Sequence, residues 1–406
     1  MRAHGTGPAA GRGHRRRPLA MLAGVLLVLP AAACGDGGAG SGGRSAAGTS
    51  TATTASTTSS PSAPSGSCAQ QTLDRLDRPA RIGQLLMVGL PIDDPMTGLG
   101  QLDGVPVGGV FLQGRSTAGA AAVGAAVAEL RSATDVPLQV AVDQEGGLVQ
   151  ALKGPGFDPV PRAVEQGRLA PEALRTATTI WAQQLRGAGI TLDLAPVADT
   201  VPAGTEAQNP PIGVVGRQFG SDPAQVAAAV TVVVGALQDA GVAATVKHFP
   251  GLGRVDVNTD TDVGATDPET SPTDPFLEPF RAAVAAGTAA VMVSSATYPQ
   301  LDPDRAAVFS PAVIGLLRDQ LGFDGVVVAD DLGQAVALSA TPVGQRAVEA
   351  VGAGVDVVLT VRGEDAAPMS AALADRAATD PRFATRVDGS ALRVLALKER
   401  FGLLSC

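Results

Sequence analysis

Stretches of β-branched and other apolar residues alternate along this chain with stretches of helical character. The apolar stretches predict strands at 83–89, 107–113, 138–143, 190–195, 243–248, 289–295, 325–330 and 355–360. The stretches between them predict helices at Ala118–Ser132, Pro171–Arg186, Pro223–Ala240, Pro275–Ala286, Pro311–Leu321, Gly344–Ala353, Ala366–Ala377 and Ser390–Phe401. Eight strands that alternate with helices predict an α/β fold, a single (β/α)8 TIM-like barrel in residues 68–406.

A doubly wound parallel sheet is the competing fold for this order of elements. It is disfavoured because no glycine-rich phosphate-binding loop follows the first predicted strand. In a barrel, the carboxyl ends of all strands meet at one rim, so charged residues that end several strands are expected to converge there.

The part of the chain before the barrel divides into two segments. Residues 1–33 begin with a basic region and continue into an apolar stretch that is too short for a stable membrane span, so they predict a signal peptide. Small residues precede Cys34, which predicts lipoprotein cleavage and a lipid on Cys34; ordinary cleavage or an uncleaved anchor are the alternatives. Residues 34–67 are rich in Gly, Ser, Thr and Pro and predict a disordered tether. Each alternative places the barrel outside the cytoplasm, lipid-anchored to the outer face of the membrane in the first case.

The two other cysteines, Cys68 and Cys406, lie at the beginning and at the end of the predicted barrel domain. Two thiols in an oxidising compartment are expected to pair, and a closed barrel brings its termini together. We therefore predict a disulfide between them, with two unpaired exposed thiols as the alternative.

Charge and composition narrow the class of partner. Without the leader the chain has 25 basic against 39 acidic residues, a formal charge of −14. This excess of acid argues against nucleic acid and against attraction to an anionic surface. We expect a monomer that contacts the membrane through its lipid anchor alone. With one Trp and one Tyr, a small pocket is more consistent with the chain than an aromatic platform for polysaccharide.

Polar residues stand at the ends of several predicted strands. The candidates are Asp143 after the third strand, Asp199 after the fourth, Lys247 and His248 at the end of the fifth, and Asp330 and Asp331 after the seventh. Arg217 is the only base in the segment 209–223. Carboxylates accept hydrogen bonds from sugar hydroxyl groups, and cations donate to ring or acetamido oxygens, so this set suits sugar recognition. Taken singly, Asp143 could cap a helix, Asp199 could brace a loop and His248 could be a buried structural residue.

Three motifs carry a family resemblance. They are Asp-Gln-Glu-Gly-Gly (143–147), Lys-His-Phe-Pro-Gly (247–251) and Gly-Phe-Asp-Gly-Val-Val-Val-Ala-Asp-Asp-Leu (322–332). In this order they resemble family 3 glycoside hydrolases, and within that family the single-domain bacterial β-N-acetylglucosaminidases. The resemblance covers roughly residues 78–402.

The resemblance implies an exo-acting, retaining hydrolase that removes terminal non-reducing β-N-acetylglucosamine, for example from cell-wall fragments. It implies that Asp330 is the nucleophile. It also implies that the terminal sugar is bound by Asp143, Arg217, Lys247 and His248. No metal and no organic cofactor is implied.

The loop that should supply the acid/base residue departs from the family pattern. Asn258-Thr259-Asp260 stands where the family has Asp-Ser-His, and His248 is the only histidine outside the leader. Retaining hydrolysis normally uses two carboxyl groups, so we expect Asp260 to act directly as acid/base, with Asp256 and Asp262 as further candidates. The alternative is a non-catalytic protein that binds sugars or the cell wall at the cell surface.

Other departures concern specificity. Leu148 and Ala151 replace two arginines that usually follow the first motif, Ser294-Ser295 replaces Ala-His in the sixth strand, and Ala329 replaces the Ser before the nucleophile. These changes leave open a third possibility, a β-glycosidase for a different sugar.

Overall fold

The computed structural model of the chain describes residues 66–406. The predicted signal peptide, the predicted lipidation site Cys34 and residues 34–65 of the predicted tether lie outside the described residues. From residue 66 onward, no helix combines the length and the apolar character that crossing a membrane requires.

Eight parallel strands form the centre of the fold. They are Leu86–Pro91 (β1), Gly109–Gln113 (β2), Gln139–Val142 (β3), Leu192–Asp193 (β4), Ala243–Phe249 (β5), Ala290–Val293 (β6), Val326–Ala329 (β7) and Val358–Thr360 (β8). The strands pair in the order β7-β6-β5-β4-β3-β2-β1-β8. A parallel bridge between Val328 of β7 and Val357, next to β8, joins the two outer strands. The strands therefore close into the predicted (β/α)8 barrel, which is confirmed.

Two short hairpins project from loops that follow barrel strands. One pairs Gln144–Gly146 with Val149–Gln150 after β3, and the other pairs Thr297–Tyr298 with Asp302–Ala306 after β6. The first hairpin begins immediately after Asp143, so it extends the strand end that carries the first motif.

Twelve α-helices in the described residues accompany the strands. They are Cys68–Arg75 (α1), Arg78–Gln84 (α2), Pro95–Gly100 (α3), Ala120–Ser132 (α4), Ala163–Gln166 (α5), Pro171–Gly187 (α6), Pro223–Asp239 (α7), Glu278–Ala285 (α8), Pro311–Gly315 (α9), Val343–Ala353 (α10), Ala366–Thr379 (α11) and Pro381–Arg400 (α12). A π-helical turn, Leu316–Gln320, continues α9. Short 3-10 helices occur at Glu206–Gln208, Pro275–Leu277, Ala307–Phe309, Val336–Leu338 and Gly363–Asp365.

Asp-Pro pairs begin two of the longest helices. The side chain of Asp222 accepts backbone N–H groups in the first turn of α7, and Asp380 does the same for α12. The proline that follows each of them needs no hydrogen-bond partner in this position, so the pair both caps and starts the helix. The predicted start of the last helix at Ser390 is therefore wrong, because Asp380 and Pro381 start it earlier.

The first predicted strand, 83–89, also begins too early. The side chain of Asp77 caps α2, which continues to Gln84, and β1 begins at Leu86. The apolar residues near position 83 are buried on a helix, because a short apolar stretch fits either element by pattern alone. Helices α1, α2, α3 and α5 were not among the predicted elements.

Alternate strand residues point to opposite sides of the barrel wall, as the pleat requires. In β7, Val328 packs inside the barrel, whereas Val327 packs outward against the helices. Val394 and Leu397 of α12, with Phe401 just after it, join the inner cluster and cover the amino ends of the strands. We call this side the closed end, and the side at the carboxyl ends of the strands the open end.

The chain termini of the fold meet beside α12. Cys68 in α1 and Cys406 are joined by a disulfide with an S–S length of 2.05 Å. The backbone N–H groups of Cys68 and Ala69 donate to the carboxylate of Glu399 at 3.1 and 2.9 Å. The first helix is thus attached to the last helix both covalently and by hydrogen bonds.

Candidate active site

A pocket of about 240 Å³ opens at the carboxyl ends of the strands. It is lined by all six of the predicted catalytic and sugar-binding residues, which are Asp143, Arg217, Lys247, His248, Asp260 and Asp330. Its other walls include Phe111, Leu194, Met292, Leu359 and Val361. A small cavity in which many charged and polar groups converge beside apolar walls suits a small polar ligand.

Two cations on one side of the pocket share a buried carboxylate. Arg217 Nε and Nη2 donate to the two oxygens of Glu145 at 2.8 and 2.7 Å. Lys247 Nζ lies 2.6 Å from Glu145 Oε1 and 2.6 Å from Asp143 Oδ1. Each charge is therefore paired inside the protein, which offsets the cost of removing it from water.

These contacts determine the charge state of the group. Burial alone would lower the pKa of Lys247, but Asp143 and Glu145 outweigh it and raise the pKa to about 12. Burial alone would raise the pKa of Glu145, but the Arg217 and Lys247 charges lower it well below its ordinary value. Glu145 and Lys247 are thus both ionised across the neutral range.

His248 is oriented by a buried aspartate. Asp199 Oδ2 lies 2.7 Å from His248 Nδ1, and Asp199 Oδ1 accepts the backbone N–H groups of His248 and Leu252 at 3.2 and 2.8 Å. This contact orients the ring so that Nδ1 faces Asp199 and Nε2 lies on the Arg217 side, at the pocket. Arg217 Nη2 lies 3.4 Å from this Nε2 atom.

Asp330 differs from Asp143 because no cation pairs with it among the described residues. It follows β7, and its Oδ1 atom accepts the backbone N–H of Asp331 at 2.9 Å. Asp331 is occupied elsewhere, since its oxygens accept backbone N–H groups of Gly333, Gln334 and Val361. The carboxylate of Asp330 is therefore paired with no cation and, in the described residues, bonds only the N–H of Asp331.

Asp260 lies on the loop after β5, across from Asp330. Neighbouring protein removes water around its carboxyl group, and the nearby charge of Asp330 opposes ionisation, so the pKa of Asp260 rises to about 6. The residue as a whole is exposed at the rim, whereas its carboxyl group is partly buried where it lines the pocket. Asp256 and Asp262 are also exposed, but they lie outside the pocket.

The Asp260 loop is attached to the segment that follows β7. The backbone N–H of Ala337 donates to Thr259 O at 3.1 Å, and the N–H of Val336 donates to Asp260 O at 3.4 Å. At the base of the loop, Asn209 Nδ2 donates to the carbonyls of Leu252 and Val255, each at 2.7 Å. These bonds hold the two carboxyl groups on connected backbone.

Two important residues were not assigned a site role from the sequence. Glu145 belongs to the first motif, but its role depends on Lys247 from β5 and on Arg217 from the loop before α7. Asp199 could be read only as a possible loop brace. The sequence does contain a signal for the role of Glu145. Arg217 and Lys247 are two cations predicted at one site, and the carboxylate of Asp143 alone cannot balance both charges.

The departures that bear on specificity lie outside the pocket. None of Leu148, Ala151, Ser294–Ser295 and Ala329 lines it. Leu148 is 62% exposed, on the hairpin after β3. Ser294 Oγ is within hydrogen-bond distance of Tyr298 Oη at 2.9 Å, so it is part of the buried wall. Between residues 66 and 406, no group of three or more His, Cys, Asp or Glu is arranged to hold a metal ion.

Comparison with known proteins places these residues among sugar-cleaving enzymes. A model described as the glycosyl hydrolase family 3 N terminal domain matches residues 79–397. The β-hexosaminidase of Xanthomonas oryzae pv. oryzae (strain KACC10331 / KXO85) is 39% identical over 269 residues, which is 64% of this chain and 77% of that protein.

Two solved structures share the fold and part of the sequence. The β-N-acetylhexosaminidase from Beutenbergia cavernae DSM 12333 matches with a TM-score of 0.78 and 46% identity, over 80% of this chain and 98% of that one. A family 3 β-N-acetylglucosaminidase from Paenibacillus sp. str. FPU-7 matches with a TM-score of 0.73 and 35% identity, over 81% of this chain and 63% of that one.

Proposed function

Because this chain belongs to glycosyl hydrolase family 3, we propose that it is an exo-acting, retaining β-N-acetylhexosaminidase that removes terminal non-reducing β-N-acetylglucosamine. The names of its relatives support the reaction and the sugar. The volume of the pocket supports one ring rather than an extended chain. The observation that carries the proposal is the pair formed by Asp330, which has no cation partner in the described residues, and Asp260, whose pKa is raised.

In the first step, an oxygen of Asp330 attacks the anomeric carbon and forms a glycosyl–enzyme ester. The bond from that carbon to the leaving oxygen breaks, and Asp260 gives the leaving oxygen its proton. In the second step, Asp260 takes a proton from water, which attacks the same carbon and releases Asp330. Two inversions at one carbon retain its configuration.

The pKa of Asp260 favours both parts of its role. Its rise to about 6 depends partly on the charge of Asp330. Once Asp330 is an ester, that charge is gone and the pKa of Asp260 falls. The same carboxyl group is therefore a better acid before the glycosyl–enzyme forms and a better base afterwards.

The paired side of the pocket keeps donors available for the sugar. Of the five N–H groups of Arg217, two bond Glu145, and Nη1 donates to Pro211 O at 2.9 Å. Lys247 uses two of its three N–H groups on Asp143 and Glu145. We propose that the remaining N–H groups, with Asp143 and His248, hold the hydroxyl groups and the acetamido group of the terminal sugar.

The test is hydrolysis by the whole chain of a panel of aryl β-glycosides that differ only in the sugar. We expect turnover of the N-acetylglucosaminide, a β-configured first product by NMR, and a covalent sugar adduct on Asp330 in rapidly quenched protein. Faster turnover of the glucoside than of the N-acetylglucosaminide would instead support a β-glycosidase for a different sugar. No turnover of any substrate, together with saturable sugar binding, would favour the non-catalytic alternative, which the absence of the family histidine supports.

We further propose that the protein is exported, lipid-anchored through Cys34, and acts on cell-wall fragments. The basic and apolar leader and the small residues before Cys34 support export and lipidation. Labelled fatty acid should be incorporated into the wild-type protein in cells and not into Cys34→Ser. Equal labelling of both proteins would contradict the assignment. Release of N-acetylglucosamine from purified wall fragments tests the substrate.

A further inference from the structure

The closed end of the barrel carries a larger cavity that the proposed hydrolysis does not use. It has a volume of about 630 Å³ and lies between α9, its π-helical turn, the loop before β8, and α12. Four arginines line it, Arg318, Arg382, Arg386 and Arg393. We call this cavity the arginine groove. Its concentration of positive charge contrasts with the acidic balance of the chain.

Two of the four arginines are fixed by a buried acid. Arg318 Nη2 lies 2.5 Å and Arg393 Nη1 lies 3.2 Å from the oxygens of Asp356, and Ser390 Oγ donates to the same carboxylate. Arg382 and Arg386 are different, because their side chains form no hydrogen bond or ion pair with any residue that the structure describes. With Asp356 and Asp319 as the acids of the groove, the arginines are in excess.

Three glycines, Gly315, Gly354 and Gly389, are among the residues that line the groove. Gly389 lies in the interior of α12, where glycine costs about 1 kcal/mol relative to alanine. Packing does not require glycine at this position. Outside the backbone of the helix itself, the nearest atom to an added Cβ would be Arg393 Nη1, at 4.0 Å. At Gly354, which has a φ of +122°, an added Cβ would lie 2.8 Å from Ile314 Cγ2 and 3.4 Å from Arg386 Nη1, so conformation and packing both require glycine there. The backbone that a ligand can approach closely is therefore that of Gly389, next to Arg393.

We propose that the arginine groove binds a phosphate group, carried either by a lipid headgroup or by a soluble organic phosphate. The planar guanidinium fork matches the oxygens of phosphate and can bond two of them at once. Arg318 and Arg393 supply preoriented charge, and Arg382 and Arg386 supply unused donors. The groove and the sugar pocket are at opposite ends of the barrel, so both sites can be occupied together.

The experiment uses the whole chain with Cys34→Ser, so that a lipid anchor cannot contribute to vesicle binding. Calorimetry in a phosphate-free buffer measures the binding of inorganic phosphate and of glycerol phosphate. Co-sedimentation measures binding to phosphatidylglycerol vesicles, with phosphatidylcholine as the neutral comparison. The first test variant, Arg382→Gln/Arg386→Gln, removes the two arginines that have no partner in the described residues. The second, Gly389→Leu, adds a side chain to the groove lining without changing its charge. The matched control, Arg175→Gln/Arg281→Gln, removes two exposed arginines from α6 and α8.

We expect saturable binding that both groove variants weaken at least tenfold, while the control variant binds like wild type and all variants keep their hydrolytic rate. Groove-dependent binding of vesicles without binding of soluble phosphates would assign the site to a lipid headgroup, and the reverse to a soluble phosphate. The proposal is overturned if no probe binds saturably, or if the control variant loses as much affinity as the groove variants.

Discussion

Two lysines are buried at opposite ends of this barrel, and their pKa values are shifted in opposite directions. Lys247 at the open end is 2% exposed and Lys398 at the closed end is 0% exposed. The carboxylates of Asp143 and Glu145 raise the pKa of Lys247 to about 12, whereas burial lowers the pKa of Lys398 to about 7. Lys398 Nζ donates to the neutral Gln84 Oε1 at 2.7 Å. The partners, and not the depth of burial, decide whether the buried amine keeps its proton.

The open and closed ends of the barrel differ in the same way as their two lysines. The open end collects buried ion pairs, together with carboxyl groups that no cation pairs in the described residues. The closed end buries Lys398 of α12 without a counter-charge. Substitutions at the open end should therefore change turnover most, and substitutions at Lys398 should change stability alone.

The largest effect is expected for Asp330→Asn. The amide cannot form the glycosyl ester, so turnover of an aryl N-acetylglucosaminide should fall by about a thousandfold or more. The melting temperature should stay close to that of the wild-type protein, because Asp330 pairs with no cation in residues 66–406. Retention of wild-type turnover by this variant would remove the assigned nucleophile.

Asp260→Asn should have the next largest effect, and it should depend on the leaving group. A disaccharide, whose leaving oxygen needs a proton, should react about a hundredfold or more slowly, and an activated aryl glycoside should be much less affected in the first step. In the wild-type protein, kcat/KM should decline above about pH 6 as Asp260 loses its proton. This decline should vanish in the variant, and azide should restore its turnover of the aryl substrate.

Asp256→Asn and Asp262→Asn are the matched controls for that experiment, because both acids are exposed on the same loop outside the pocket. They should leave the rate and the pH profile unchanged. A pH profile of Asp260→Asn that equals the wild-type profile would show that another group supplies the proton.

Glu145→Gln tests whether the paired charges also stabilise the fold. It leaves two buried cations with less compensation, so unfolding in urea should require about 3 kcal/mol less free energy at neutral pH. The folded pKa of Glu145 is lowered, so its contribution is complete above its ordinary pKa of 4.5 and is lost as the pH falls through the folded pKa. The variant should therefore lose less stability than the wild-type protein in acid.

Glu165→Gln is the matched control, since Glu165 forms an exposed ion pair with Arg162. It should have no measurable effect on unfolding. If Glu145→Gln were equally neutral, the buried network would not stabilise the protein.

The smallest effect is expected for Lys398→Met at the closed end. It removes the buried amine but leaves Gln84 Oε1 without its donor, so the net gain in unfolding free energy at pH 7 should be about 1 kcal/mol. Turnover should not change. In the wild-type protein, stability should rise between about pH 7 and 10, because there the unfolded lysine holds a proton that the folded lysine has released.

That rise should be absent from Lys398→Met. Lys153→Met is the comparison variant, because Lys153 is only partly buried. An unchanged pH dependence in Lys398→Met would mean that the buried lysine keeps its charge.

The barrel was predictable because its strands are short β-branched stretches that end at charged residues. β5 and β7 agree with the sequence to within one residue at each end. Predictions failed where a cap decides where an element begins: Asp77 directs the chain into α2, and Asp380 starts α12 in a mostly polar stretch. A helix cap depends on the hydrogen bonds that one polar side chain accepts, so the pattern of apolar residues does not indicate it.

For the candidate site too, the sequence indicated several of the residues but not the contacts between their side chains. Motif order was enough to select Asp143, Lys247, His248 and Asp330, which the structure brings into one pocket. The role of Glu145 depends on cations from two distant segments. The arginine groove likewise joins residues from 311 to 393, whose proximity no local pattern indicates.

The bond between Cys68 and Cys406 makes the folded domain a covalent ring. A protease that cuts a single peptide bond inside this ring opens it but releases no fragment, because the two new pieces remain linked through sulfur. A nicked molecule would therefore keep its full mass and any attachment that precedes Cys68. Only reduction after such a cut would allow the pieces to separate.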